Sequence, residues 1–146
     1  MNFQPNSDTI AWNMHFRSSP TKVFDALTTD EGRAKYWAES TEENDGHVTF
    51  HIYNYPSFTG KILTKESPHL FELEYFGTRV RFELRSDGHK GTILRLYAKV
   101  NDHALRDEMT AGWVSVLMAM KAAVDFDVDL RNHDPDMAWA QGFADN

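Results

Sequence analysis

The chain contains no cysteine. Disulfide bridges, thiolate metal sites and a cysteine nucleophile are therefore excluded. It also lacks any long basic run, and its 15 Lys and Arg are outnumbered by 22 Asp and Glu, a formal net charge of -7. That balance disfavours phosphate backbones and anionic membranes, so nucleic acid is not an expected partner. No apolar run approaches membrane-spanning length, and no membrane insertion is expected. Met1 to Asp8 is polar and has none of the apolar stretch of a secretory signal. With no address visible, a cytoplasmic location is the default expectation. There is no Gly-rich phosphate loop, no nucleophile elbow and no HExxH zinc signature, and no cofactor is expected.

What is present is a chain of 146 residues, the usual size of one domain, with 41% hydrophobic residues and enough length for a substantial core. Aromatics make up 13%, including 4 Trp and 10 Phe. Rings fill space with few rotatable bonds and line ligand cavities well. They also build ordinary cores, and composition does not separate the two uses.

Ile10, Trp12, Met14 and Phe16 alternate with Ala11, Asn13, His15 and Arg17, a period of two that predicts a half-buried strand. Ser19 offers a helix cap and Pro20 suits the first helical position, with Val23, Phe24 and Leu27 forming one apolar face. Thr29-Asp30 marks a second helix start, leading to Ala34, Tyr36 and Trp37. Glu39 to Gly46 is polar and acidic and reads as a loop. From His47 the period returns to two, with Val48, Phe50 and Ile52 on one face. Tyr55-Pro56-Ser57 and Ser67-Pro68 are turn signals on either side of a strand at Gly60 to Lys65. Leu70 to Phe76 is a strand that Gly77 ends. Val80, Phe82 and Leu84 alternate with Arg79, Arg81, Glu83 and Arg85, the clearest pattern with one wet face. A hairpin loop from Ser86 to Gly91 leads into a last strand, Thr92 to Val100. The short connections argue consecutive antiparallel pairing.

Asp102 opens the final helix or its approach. Met109, Trp113, Val116, Leu117, Met120 and Val124 fall at helical spacing. Val114, Met118 and Ala122 make the other side apolar as well, so that side is deeply buried, faces a cavity or meets a partner. A homodimer is one such partner. Asp125 to Asn146 is polar and reads as a tail anchored by Trp139. With no repeats and no linker, residues 1–146 form one domain, of which 131–146 is the polar tail.

The order strand, two short helices, run of strands, long helix resembles the START-like superfamily, also called SRPBCC or the helix-grip fold. Within it the chain is similar to bacterial homologues of the C-terminal domain of the heat-shock chaperone ATPase activator. The residues that carry this are Val23-Phe24-Asp25-Ala26-Leu27-Thr28, the pair Tyr36-Trp37, Gly112-Trp113 with Leu117, and the tail segments Leu130-Arg131-Asn132-His133-Asp134-Pro135 and Gly142-Phe143-Ala144-Asp145-Asn146. Many relatives have two tryptophans where this chain has Tyr36-Trp37. The expected fold is α+β: a curved antiparallel sheet of about six strands, two short helices after the first strand, and a long C-terminal helix packed across the sheet. The resemblance implies a cavity between sheet and last helix, in a superfamily whose members carry lipids, bind hormones or cyclise polyketides.

The candidate ligand-binding residues are Trp37, Phe50, Ile52, Phe82, Trp113, Leu117 and Met120, chosen because their phase places them on the segments around that cavity. The same periodicity serves a filled core. His47 and His51 share a strand face, but four residues of strand separate them by roughly 13 Å, too far for one metal ion. Asp125, Asp127, Asp129 and Asp136 resemble part of a calcium loop, yet Leu130 stands where the loop needs Gly and Asp136 where it needs a bidentate Glu, and Asp125 to Asp129 read as a helix or its end, which would scatter the carboxylates, so no metal site is assigned. Glu72, Glu74 and Glu83 have the phase of the outer face, where Arg79, Arg81 and Arg85 can pair with them across strands. Tyr36, Tyr75 and Tyr97 could donate to a ligand or merely satisfy their own hydroxyls.

The expected function is binding of a small apolar or amphipathic ligand between sheet and helix, with one or two polar side chains setting its orientation. The resemblance adds a second reading, a protein-partner module acting on a chaperone, though the eukaryotic activators carry an additional N-terminal domain. A cyclase or hydratase is the third reading and needs an inward-facing acid or base; no catalytic residue is assigned, and a non-enzymatic role is the preferred expectation.

Overall fold

The computed structural model describes residues 3–146. Met1 and Asn2, part of the polar start and of the domain span 1–146, lie outside the described residues. The chain opens with strand β1 (Thr9–Phe16), followed by helix α1 (Pro20–Thr28) and the single-turn helix α2 (Asp30–Arg33). Six strands follow: β2 (Ser40–Asn44), β3 (His47–His51), β4 (Phe58–Glu66), β5 (Leu70–Tyr75), β6 (Thr78–Ser86) and β7 (Thr92–Lys99). A 3-10 turn at His103–Leu105 leads into helix α3 (Arg106–Phe126). All pairings are antiparallel, in one sheet of order β1-β7-β6-β5-β4-β3-β2. This is the expected α+β helix-grip arrangement.

Seven strands stand where about six were expected, the number being set by turn and period signals. The extra one is β2, whose sequence Ser-Thr-Glu-Glu-Asn has no apolar alternation and reads as loop. It forms because it is an edge strand: Thr41 alone is buried, and the backbone ladder to β3 runs from Ser40↔His51 to Asn44↔His47. The second helix is shorter than expected, one turn capped by Thr29, whose hydroxyl accepts from Gly32 N at 3.0 Å. Tyr36 and Trp37 follow it in a run of turns.

The local chemistry of α1 is as the sequence suggests. Ser19 caps it, accepting from Lys22 N, and Pro20 takes the first position, where no amide bond is lost. Strand β4 bends where its register slips between Ile62 and Thr64. Beside that bend Gly60 lies so close to Glu74 that a Cβ would sit 1.8 Å from its carbonyl oxygen. Edge strand β1 is covered in part by the segment before it: the Gln4 side-chain amide donates to Ala11 O and accepts from Ala11 N, each at 2.8 Å.

Helix α3 buries Trp113, Leu117, Ala119, Met120 and Val124. By length and composition the stretch His103–Phe126 could cross a membrane, contrary to the expectation that no such run exists. These buried residues instead join the one hydrophobic core with β1, α1 and the inner sheet face. Val114 and Met118, 38% and 50% exposed, form an apolar outer stripe.

Asp125, which the sequence places both at the start of the polar tail and at a helix or its end, belongs to the last turn of α3 and is buried. Its carboxylate accepts from Arg17 N at 3.0 Å, Ser18 N at 3.1 Å, Ser18 Oγ at 2.7 Å and Lys121 Nζ at 3.0 Å. It ties the end of α3 to the β1–α1 junction. Burial alone would raise this carboxyl, but the bonds from Arg17, Ser18 and Lys121 outweigh it and hold it below its ordinary 3.8. A depressed carboxyl stabilises the fold above its unfolded value, and that contribution is lost as pH falls through the folded value. Asp125→Asn leaves the backbone donors facing an amide; we expect a loss of about 2–3 kcal/mol at neutral pH in urea unfolding, and a shallower loss of stability on acidification than the native chain shows.

Candidate functional site

The pivot of the site is a residue the sequence reading did not single out. Arg33 at the end of α2 is fully buried. Its guanidinium donates to Thr41 Oγ1 (3.0 Å), Leu27 O (3.0 Å), Asp30 Oδ1 (2.8 Å) and Glu43 Oε1 (3.2 Å). One cation thus binds the end of α1, the turn of α2 and strand β2. The available signal was Asp30 three residues before it and the acidic Thr41-Glu42-Glu43 after it, a pattern that in sequence looks like solvated charge. The Arg33 carbonyl accepts from Trp37 N at 2.8 Å and so fixes where Trp37 enters the core. Tyr36 beside it donates its hydroxyl to Ala26 O at 3.0 Å, and burial pushes its phenol well above the ordinary value.

Trp37 sits at the centre of an aromatic cluster. Its ring centroid lies 5.2 Å from Phe50, 5.4 Å from Tyr75, 5.6 Å from Phe82 and 6.3 Å from Trp113. Phe58 stacks on Phe50 at 5.3 Å. Tilted and edge-on pairs at these separations suit the ring quadrupoles. Trp37 is buried, yet its indole Nε1 has no hydrogen-bond partner, and it is the one buried side-chain polar atom so placed among the described residues. The Tyr75 phenol is near enough to feel the indole N–H but does not meet hydrogen-bond geometry with it. Burial raises the Tyr75 phenol well above its ordinary value. It stays protonated at neutral pH and can donate a hydrogen bond, but cannot act as a base.

The seven candidate residues divide. Phe50, Phe82, Leu117 and Met120 are essentially inaccessible, and Trp37 and Trp113 are buried. Ile52 is half-buried and lies just beyond β3, at the rim. Trp37, Phe50, Phe82 and Trp113 meet directly, Leu117 and Met120 belong to the same core, and Ile52 packs against it. Two clefts in the surface lie elsewhere. One of about 510 Å³ is on the outer sheet face, lined by Glu72, Arg79, Arg81, Tyr97 and Lys99 among others. A smaller one of about 220 Å³ lies between Ala34-Lys35 and the end of α3.

On that outer face the expected cross-strand pairing holds. Glu72 opposes Arg81 in register, and its carboxylate accepts from Arg79 Nη2 at 3.0 Å and faces Arg81 Nη1 at 3.7 Å. Glu72 is nonetheless buried rather than wet, covered by those two arginines. Asp125 and Asp129 do not share a calcium loop: the first holds Arg17 and Ser18, and the second accepts from Arg131 Nε and Nη2 at 3.0 Å each.

No family model matches the chain, and no curated protein matches it. Solved structures do. A conserved protein of unknown function from Enterococcus faecalis superposes with a TM-score of 0.74 at 18% identity, covering 96% of this chain and 84% of that one. The Aha1 dimer from Colwellia psychrerythraea gives 0.70 at 20% identity, covering 81% and 96%. The AHSA1-like protein from Aeromonas hydrophila gives 0.69 at 17%, covering 80% and 91%. The chain has the START-like helix-grip fold. At these identities the likeness concerns the START-like fold and carries no activity with it.

The division among the candidates has a measurable form. Leu117→Ala and Met120→Ala each remove a fully buried side chain and are expected to lower stability by about 2–5 kcal/mol. Ile52→Ala at the rim is expected to cost less than about 1.5 kcal/mol, all three read by chemical unfolding.

Proposed function

We propose that this domain binds a small apolar ligand carrying a hydrogen-bond acceptor, such as an aromatic ketone, among the rings beneath α3. The observation that carries this reading is the unpartnered indole N–H of Trp37. A buried donor left unpaired costs about 1–3 kcal/mol, and native interiors rarely keep one without a use. A carbonyl oxygen presented to Nε1 would satisfy it. The surrounding rings of Phe50, Tyr75, Phe82 and Trp113 supply the apolar and quadrupolar contact that a flat ligand needs. Such a ligand displaces part of the present ring packing. The cluster holds no carboxylate and no imidazole, so a cyclase or hydratase has no acid–base pair there, and binding without chemistry is the preferred reading.

A second reading rests on the outer stripe of α3. Exposed Val114 and Met118 would suit a protein contact, with a chaperone or with a second copy of the chain. One structure sharing the fold is itself a dimer. Sedimentation at several protein concentrations separates the self-association form of this reading from a monomer.

The ligand reading is tested with two neutral probes on one framework, Prodan (a naphthyl ketone) and its deoxygenated analogue 2-propyl-6-(dimethylamino)naphthalene, followed by amide and indole NMR shifts. We expect saturable shifts at Trp37, Phe82 and Trp113, with the ketone binding about fivefold tighter, the worth of one neutral hydrogen bond. Trp37→Phe should erase that preference. Equal binding of ketone and deoxygenated analogue to the native protein, or no saturable shift with either, would sink the proposal.

A further inference from the structure

Beyond α3 the chain turns back on itself. Asp127 adopts the left-handed conformation (φ 53°), and the following residues cross the end of the domain. They are held at three places. The Arg131 guanidinium donates to Ala34 O at 2.6 Å and Ala38 O at 2.7 Å, the two carbonyls that flank Tyr36-Trp37. Asn54 Nδ2, on the β3–β4 turn, donates to Pro135 O. On α3, the Ser115 hydroxyl donates to Ala144 O at 2.5 Å, and the Trp139 ring lies against Gly112, next to Trp113. Ala138 between these anchors is buried. Asn132 braces the segment internally, donating to Met137 O at 2.9 Å and to Asp145 Oδ1 at 3.2 Å. Two of the anchors therefore fall beside the two tryptophans whose rings meet at 6.3 Å.

One side chain in this segment is held as only an imidazolium can be. His133 Nδ1 lies 2.9 and 3.0 Å from the two carboxylate oxygens of Glu39, and Nε2 lies 2.7 Å from Asp129 Oδ2. Both ring nitrogens face carboxylates, so both must donate. A neutral ring would set a lone pair against one of them. Glu39 immediately follows Ala38 before β2, so this contact closes the segment onto the stretch that carries Trp37.

We propose that residues 129–146 form a strap over the Trp37–Trp113 cluster and that protonation of His133 latches it, so that pH governs ligand access to the indole N–H of Trp37. The proposal rests on the ligand-binding reading above for its purpose, though not for its geometry. The groups facing His133 are Asp129 on the strap, Glu39 before β2, the Arg131 guanidinium that also binds Asp129, and the Tyr53 phenol and Asp134 beside Glu39. The bond to Asp129, and after it those to Glu39, raise His133 above its ordinary 6.5 against the opposing effect of burial. Burial alone would raise Asp129, but the bonds from Arg131 and His133 outweigh it and hold it far below the ordinary carboxylate range. A raised histidine stabilises the closed strap below its free value, and that contribution is lost as pH rises through the bound value. The latch is closed in mildly acidic solution and released above neutrality.

The test uses the full chain and measures hydrogen–deuterium exchange of the Trp37 indole N–H, corrected for intrinsic exchange, at about pH 5.5 and about pH 8.5, on either side of the ordinary histidine range. In the native protein, protection should fall by about threefold across that interval, the worth of one partly exposed ion pair. His133→Gln should show the weaker protection at both pH values, and Glu39→Gln a diminished step; the exposed His133 and half-buried Glu39 give independent variants of one latch. Prodan affinity should rise over the same interval in the native protein and be flat in His133→Gln. A native protein with no step in protection, or a step that survives in His133→Gln, would overturn the strap. If the exchange step is present and abolished by the variants while Prodan binds neither protein, the strap stands and the ligand reading falls. If Prodan binds equally at both pH values and no step is seen, the ligand reading stands and the strap falls.

Discussion

A single buried cation organises this end of the domain. The guanidinium of Arg33 reaches a carbonyl from α1, a carboxylate from α2 and a hydroxyl and a carboxylate from β2. Taking a charge out of water is unfavourable unless its donors are fully used, so the acceptors have no freedom to wander. Strand β2 has almost no apolar content to hold it and depends on this anchorage. The turn that delivers Trp37 hangs from the same residue through its carbonyl. Remove the cation, and the aromatic cluster loses the geometry of its central ring.

The fold was largely legible because period carries it. The two-residue alternation in β1, β3, β6 and β7 and the helical spacing from Met109 to Val124 are the footprints of one buried face each. What escaped was whatever is held by polar contacts. Ser40–Asn44 has the composition of a loop and becomes a strand because Arg33 and the β3 ladder hold it. Asp125 has the composition of a tail and becomes the clamp between α3 and the β1–α1 junction. Composition registers such a residue as solvated charge; only the three-dimensional partners reveal it as structural.

The candidate site was legible to the same degree. Periodicity picked out inward-facing rings, and Trp37, Phe50, Phe82 and Trp113 do meet. It could not distinguish a lining from a filling, since both require the same phase. Phe58 belongs to the cluster as fully as the chosen rings, and Tyr75, which the sequence offers only as a hydroxyl donor, packs there as a ring. The orphaned indole nitrogen is a property of packing and has no sequence signature.

The Gln4 amide on Ala11 has an implication for assembly. A primary amide offers one donor and one acceptor side by side, the same pair a neighbouring strand presents. Gln4 therefore acts as a one-residue counterfeit strand, occupying a bonding position on β1 that a foreign chain would need. At the opposite margin, β2 carries the exposed Glu42, whose charge repels a like edge. With both rims of the sheet guarded in this way, growth by strand addition is discouraged, and any union of two copies is steered toward the helical side of the molecule.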